Sequence, residues 1–290
     1  MPADTVEYLG KSLIQHGPLN QRVYVLDLDP EEVTYTIQAL DGLALEKGYS
    51  KIIVKVPEYH LDFFTRNGYT IEAVVPEFFY GLTTGYFLAK FLSPARHIIE
   101  NRVQIDSILD SCKNTRPAGI KRDLPPGMEV RKSRPGDAEK IAGLYQAVFE
   151  TYPFPIGDPE FLQQGMSANT HYFHIVYAGA IIAAASFEAA HLAGTAEMTD
   201  FAVSSCHRGL GLSGFLLRRM EREAHEMGMT LAYTIARAAN LPVNRLFAGA
   251  DYLYGGTLAG NTNICGAFES MNVWYRKFPE IQDPSGEETP

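Results

Sequence analysis

The segment from Glu197 to Ser213, Glu197-Met-Thr-Asp-Phe-Ala-Val-Ser-Ser-Cys-His-Arg-Gly-Leu-Gly-Leu-Ser213, constrains this chain more than any other. It reads as a strand, a short turn, a glycine-rich loop and the first turn of a helix. The run Arg208-Gly209-Leu210-Gly211-Leu212-Ser213 puts free backbone N–H groups and a cation at a helix N-terminus. That combination suits a pyrophosphate. The strand before it carries two carboxylates, Glu197 and Asp200. An anion cradle beside a proton acceptor points to chemistry on a nucleotide-tailed co-substrate.

Gly209-Leu-Gly211-Leu-Ser-Gly214 also fits the dinucleotide pattern G-x-G-x-x-G. Three features oppose that reading. A dinucleotide strand is a buried apolar run, and this one holds two acids. The stretch between Val203 and Gly209 is too long for the tight strand-to-helix turn. The following strand, Leu231 to Ala238, ends without the acid that would hold a ribose. A glycine loop with no ligand is the third reading, disfavoured by the helix that follows. On that helix Leu212, Phe215, Leu216, Met220, Ala224 and Met227 recur on one face, with Glu221, Glu223 and Glu226 expected toward solvent. Arg219/Glu223 and Arg222/Glu226 are i,i+4 pairs, and Gly228 is the stop.

The rest of the chain divides in two. Residues 1–120 alternate strand and helix signals: strands at 22–28, 51–56, 69–75 and 86–91, helices at 30–47 and 58–67, and a connecting helix at 94–112. This is a small α/β unit without a phosphate loop. Thr115 to Gly127, rich in Pro, Gly and charge, is the boundary. The second unit spans 128–278, and 279–290 is a polar tail expected to fray. A weak echo links the units: Lys47-Gly-Tyr-Ser with Phe64 to Tyr69 parallels Met227-Gly-Met-Thr with Phe247 to Tyr252. It reads either as a decayed repeat or as coincidence. Phe63, Phe64, Phe78, Phe79, Phe87 and Phe91 are a heavy aromatic load for so small a unit, so it is expected to dock on the second unit or on a second subunit, a homodimer.

A net charge of −9 over 290 residues argues against general nucleic-acid binding and fits a cationic small molecule weakly, a solubilising acidic surface being at least as good a reading. Three scattered cysteines without a CxxC suggest neither a disulfide framework nor a zinc site, and no metal is expected. No apolar run is long enough to span a bilayer, and the start lacks a signal-peptide pattern. A cytoplasmic protein without membrane partners is expected.

These residues resemble the GNAT acetyltransferase superfamily, whose loop reads Arg/Gln-x-x-Gly-x-Gly/Ala; Ser213 stands in its last place. Asn240 also matches, Phe247 stands where the family usually has a tyrosine, and Asp251-Tyr252 replaces Gly-Phe. A closer likeness is to the β-lysine N-acetyltransferases. It is carried by Tyr152-Pro-Phe-Pro-Ile, Glu197-Met-Thr-Asp-Phe-Ala, Tyr233-Thr-Ile-Ala-Arg-Ala, Asn244 with Phe247, Gly256-Thr-Leu, Asn261-Thr-Asn-Ile and Glu269-Ser-Met-Asn-Val-Trp-Tyr275.

The resemblance implies an α/β (α+β) GNAT fold, a mixed, mostly antiparallel sheet flanked by helices, preceded by the smaller unit. It implies acetyl-CoA as co-substrate, held by Phe201, Ala202, Val203, Arg208 to Ser213, Asn240, Asn244 and Phe247. Glu197 is expected to be the base and Tyr252 a candidate proton donor. Tyr152, Asp200, Asn261, Glu269, Asn272 and Trp274 are candidates for substrate contact. For Glu197 a surface acid, and for each of the others ordinary packing, stays open beside the functional role. Three activities follow: acetylation of β-lysine, acetylation of another amine (a polyamine, an amino acid or a peptide N-terminus), and acyl-CoA binding without catalysis.

Overall fold

A computed structural model describes residues 4–113, 123–150 and 152–279. The first unit runs β1 (Thr5–Leu9), β2 (Ser12–Gly17), β3 (Arg22–Asp27), α1 (Val33–Lys47), β4 (Lys51–Pro57), α2 (Leu61–Arg66), β5 (Thr70–Phe79) and β6 (Thr83–Phe91). Helices α3 (Pro94–His97) and α4 (Arg102–Lys113) lead out of it. The second unit runs β7 (Met128–Lys132), α5 (Ala138–Val148), α6 (Pro159–Ser167), β8 (Thr170–Tyr177), β9 (Ala180–Ala190), β10 (Thr195–Val203) and α7 (Leu212–Glu226). It ends with β11 (Leu231–Arg237), α8 (Leu241–Ala248), β12 (Leu253–Ile264) and β13 (Ala267–Lys277). Most of the expected boundary segment, and the expected tail beyond Pro279, lie outside the described residues.

All strands join one 13-stranded sheet in the order β1-β2-β3-β4-β6-β5-β12-β13-β11-β10-β9-β8-β7. Only β3–β4 and β10–β11 are parallel. The mixed, mostly antiparallel sheet expected from the sequence is present. It is continuous across both units, joined where Ala73 of β5 pairs with Gly256 of β12. Gly256 has φ 150°, and a Cβ there would sit 2.2 Å from the Glu72 carbonyl oxygen. Only glycine lets the two backbones approach this closely.

The pairing of β1 to β6 repeats that of β8 to β13. In each set an antiparallel pair is followed by a helical crossover to a parallel strand, a short helix, and a hairpin whose second strand inserts beside the crossover strand. The local contacts repeat too. Tyr49 N–H donates to Ala44 O and Tyr69 N–H to Phe64 O; Met229 N–H donates to Ala224 O and Tyr252 N–H to Phe247 O. Phe64 and Tyr69 meet edge to face at 5.1 Å, and Phe247 and Tyr252 at 5.0 Å.

Strand alternation sorts the faces. Val23, Val25, Ile52, Val54 and Val56 pack in the cluster under α1, which leaves Tyr24 and Lys55 on the other face. Ala185, Phe187, Ala189, Ala196, Met198, Ala232 and Ala236 pack under α7, which leaves Ser186, Glu188, Glu197 and Tyr233 on the other face. The two polar faces meet because the sheet curls: Phe78 and Phe87 of the first unit pack edge to face on Tyr233, at 5.0 and 6.1 Å. The aromatic load is thus divided. Phe78 and Phe87 fill the junction, Phe64 is in the first unit's own core, and Phe63 is exposed.

Three cations of the first unit fasten the junction. Lys51 Nζ donates to the Ala259 carbonyl (2.7 Å), Arg96 Nε to Gly260 O, and Arg22 to Asn261 O (2.6 Å). These successive carbonyls lie where β12 bulges between Leu258 and Thr262 and has no regular ladder partners. Lys51 also pairs with the buried Glu72 at 2.8 Å.

Candidate active site

Strand β10 pairs with β11 only from Thr195 to Glu197; beyond that point β11 follows β13 and the two strands part. Residues 198–203 pair on one edge only, with β9. A bulge lies in the same stretch, because Thr199 faces Ser186 while Ala202 faces Ala184. Asp200 occupies it with φ 57°, a left-handed conformation that costs a non-glycine residue on the order of 1 kcal/mol. Its buried carboxylate offsets that cost by accepting hydrogen bonds from Ser186 (2.6 Å), Tyr152 (2.6 Å) and Thr199 (3.3 Å). The bulge turns Asp200, which a regular strand would direct away, onto the face of Glu197. The unpaired edge at Phe201, Ala202 and Val203 is suited to donate to a developing oxyanion.

The fork leads to the glycine loop. Gly209 (φ 81°) and Gly211 (φ 71°) are both left-handed, and no atom lies within 4 Å of where their Cβ atoms would be. Residues 208–211 are exposed, while buried Leu212 anchors the first turn of α7. There is room at this N-terminus for a pyrophosphate, with Arg208 beside it. The first unit has Asp29-Pro30-Glu31-Glu32 in the equivalent loop, a charge that repels phosphate.

On the polar face Glu197 lies directly opposite Glu188 of β9 and beside Tyr233 of β11. Tyr233 donates a 2.7 Å hydrogen bond to Glu197 Oε2, and Lys55 Nζ of the first unit donates to the Tyr233 hydroxyl at 3.1 Å. Like charges directly opposite on a sheet are destabilising. Burial within the protein, followed by the charges of Glu197 and Asp200, pushes the Glu188 carboxyl up to about 8. Glu188 is nonetheless exposed, so its carboxyl lies open to a ligand rather than in packed core. Burial alone would lower the Lys55 ammonium; Tyr24, Glu197 and Glu188 outweigh it and hold it above its usual value. The Tyr233 hydroxyl is raised well above its usual value, by burial and then by Glu197.

Glu197, Asp200 and Tyr152 are therefore brought together, with Glu188, Tyr233 and Lys55 added. Glu188 had one signal in the sequence: it is the single acid in the apolar run from Ala180 to Ala190. Lys55 and Tyr24 had none, because curling of the sheet brings them in.

Other expected site residues are placed elsewhere. Tyr252 packs on Phe247 with its hydroxyl beside Glu221 of α7, on the opposite face of the sheet from Glu197. Phe247 is fully buried between Phe201 and Tyr252. Asn244 spends its amide on the carbonyls of Arg237, Ala238 and Asn240, and its oxygen accepts from Asn272 and Trp274. These three side chains tie α8 to β13 on the α7 face. Asn240 caps α8 through Val243 N–H. Glu269 is held by a two-point pair with Arg237, and Asn261 lies in the clamped bulge of β12. Glu221, expected in solvent, is buried beside Arg276, while the Arg219–Glu223 pair forms as expected, at 2.7 Å.

The sequence pattern of the Acetyltransferase (GNAT) family matches residues 141–251, which include the bulge, the glycine loop and α8. A β-lysine N(6)-acetyltransferase of Methanococcus maripaludis is 37% identical, over 92% of this chain and 97% of its own. The chain belongs to the GNAT acetyltransferase family. A β-lysine N(6)-acetyltransferase of Methanosarcina mazei is 29% identical over 85% of this chain and 97% of its own. The N-acetyltransferase YodP of Bacillus subtilis is 27% identical over 92% and 96%. These likenesses run through both units, so the first is not an appendage peculiar to this chain.

Proposed function

We propose that this acetyltransferase moves the acetyl group of acetyl-CoA to the side-chain amine of β-lysine, giving N6-acetyl-β-lysine. The observation that carries the reading is the facing pair Glu188 and Glu197, set at the fork of β10 and β11 and in line with the glycine loop. The names of the two archaeal relatives favour β-lysine among amines.

Acetyl-CoA supplies a thioester already activated for attack. The loop from Arg208 to Ser213 receives its pyrophosphate, and the free edge at Phe201 to Val203 offers N–H groups to the carbonyl oxygen. An ammonium cannot attack, so it must first lose a proton. Glu197, oriented by Tyr233, accepts it. Glu188 seats the ammonium on the opposite side. Phe247 has no proton to give, so protonation of the departing thiolate falls to solvent. The product bears one cation and one anion, a net-neutral zwitterion suited to a compatible solute made in the cytoplasm.

The test is thiol release from acetyl-CoA across an amine panel. β-Lysine should exceed α-lysine and spermidine in kcat/KM, because a misplaced ammonium leaves fixed partners unmatched. A better rate with spermidine or a peptide N-terminus would move the assignment to another amine. Acetyl-CoA binding without release on any amine would leave a non-catalytic protein.

A further inference from the structure

The first unit carries four cations near the junction. Three of them, Arg22, Lys51 and Arg96, are spent on backbone carbonyls of β12. Lys55 is not. Its Nζ donates to the Tyr233 hydroxyl and lies 5.5 Å from the ring centres of both Tyr24 and Tyr233. Among the described residues it forms no ion pair. On the same face, the Glu188 side chain has no hydrogen bond among the described residues, since the bond from Tyr233 goes to Glu197. The site therefore presents the Lys55 ammonium and the Glu188 carboxyl beside the base, neither of them in a close ion pair among the described residues.

We infer that Lys55 recognises the carboxylate of the amine substrate, so that the first unit decides between diamino acids and plain diamines. This rests on the reading of the site as one for a diamino monocarboxylate. Such a molecule has a counterpart for every charge at the site: ammonium groups for Glu188 and Glu197, a carboxylate for Lys55. A polyamine has only cationic ends and meets Lys55 as a like charge in a poorly solvated place. With one ammonium proton of Lys55 on Tyr233 and a second turned toward the Tyr24 hydroxyl, a third remains for a carboxylate to accept. Because Lys55 touches Tyr233, and Tyr233 touches Glu197, a change at Lys55 could also disturb the base. The test must separate the two roles.

The separating pair of substrates is 3,6-diaminohexanoate (β-lysine) and 1,4-diaminopentane, the same diamine without the carboxylate. In the wild-type protein kcat/KM should favour the acid strongly. In Lys55→Gln the ratio of the two values should collapse by about 10- to 100-fold, the worth of a charge-assisted hydrogen bond, with the loss on the acid mainly in KM. Lys55→Arg, which keeps the charge, should restore part of the ratio and guards against a variant that fails to fold. Parallel losses on both substrates, leaving the ratio unchanged in Lys55→Gln, would overturn the inference and assign Lys55 to the base. A wild-type protein active on both substrates with equal kcat/KM would overturn it as well. A wild-type protein inert toward 3,6-diaminohexanoate would overturn the substrate reading and this inference with it.

Discussion

Glu197→Gln is expected to lower kcat for amine acetylation by about 10²- to 10⁴-fold at neutral pH. Glutamine keeps the shape of the side chain and an oxygen to accept from Tyr233, which now donates to Glu197 at 2.7 Å. It cannot take a proton. The defect should narrow as pH rises, because more of the amine arrives already deprotonated. Glu188, directly opposite, is the one neighbour placed to substitute for it, so adding Glu188→Gln should deepen the loss. A single variant with wild-type kcat near pH 7 would remove Glu197 from the chemistry.

The second large effect concerns the junction. Lys51 is fully buried and Glu72 nearly so, with 2.8 Å between them. Replacing Lys51 with Met strands the Glu72 carboxylate, whose remaining partner is the Ala259 N–H, and also removes the donor to Ala259 O. Breaking a buried pair in this way costs about 3–5 kcal/mol. The denaturant midpoint should fall accordingly. Adding Glu72→Gln should restore much of it, since the amide oxygen still accepts from Ala259 without a buried charge. Unchanged stability in Lys51→Met would mean that the clamp contributes little to holding the two units together.

The parts legible in the sequence were those governed by local rules. The glycine loop, the helix after it and the strand before it follow from turn chemistry and from apolar spacing at one helical face. The echo between Phe64–Tyr69 and Phe247–Tyr252 corresponds to a repeated hydrogen bond and ring contact. β1, β2 and α6 gave weak signals: β1 is mostly exposed, and β2 buries polar residues on both of its faces, Gln15 on one and His16 on the other. The site was legible only along single strands. Glu197 could be picked from its own strand, but its partners come from pairing across the sheet (Glu188, Tyr233) and from curling of the sheet (Lys55, Tyr24). Neither is written in local pattern. The surroundings of Glu269 to Trp274 were hidden for a related reason. Strand β13 lies in the sheet interior between β11 and β12, and its polar residues bond to β11, β12 and α8, which are distant in sequence or set by pairing.

A cationic amine seated against the Glu188–Glu197 pair is the centre of the proposed mechanism. Burial first, and the neighbouring carboxylates second, push Glu188 up to about 8, so in the free protein it keeps its proton between the usual carboxylate range and that pH. An ammonium brought against it favours the charged form and drives the proton off. Calorimetric titration of β-lysine in the presence of coenzyme A, in buffers of different ionisation enthalpy, reads this directly. The wild-type protein should release up to about one proton per site near pH 7, the release should vanish as pH rises past 8, and Glu188→Gln should lack it. Binding of β-lysine with no proton released near pH 7, or with the same release from Glu188→Gln, would contradict the seating of the amine on this pair.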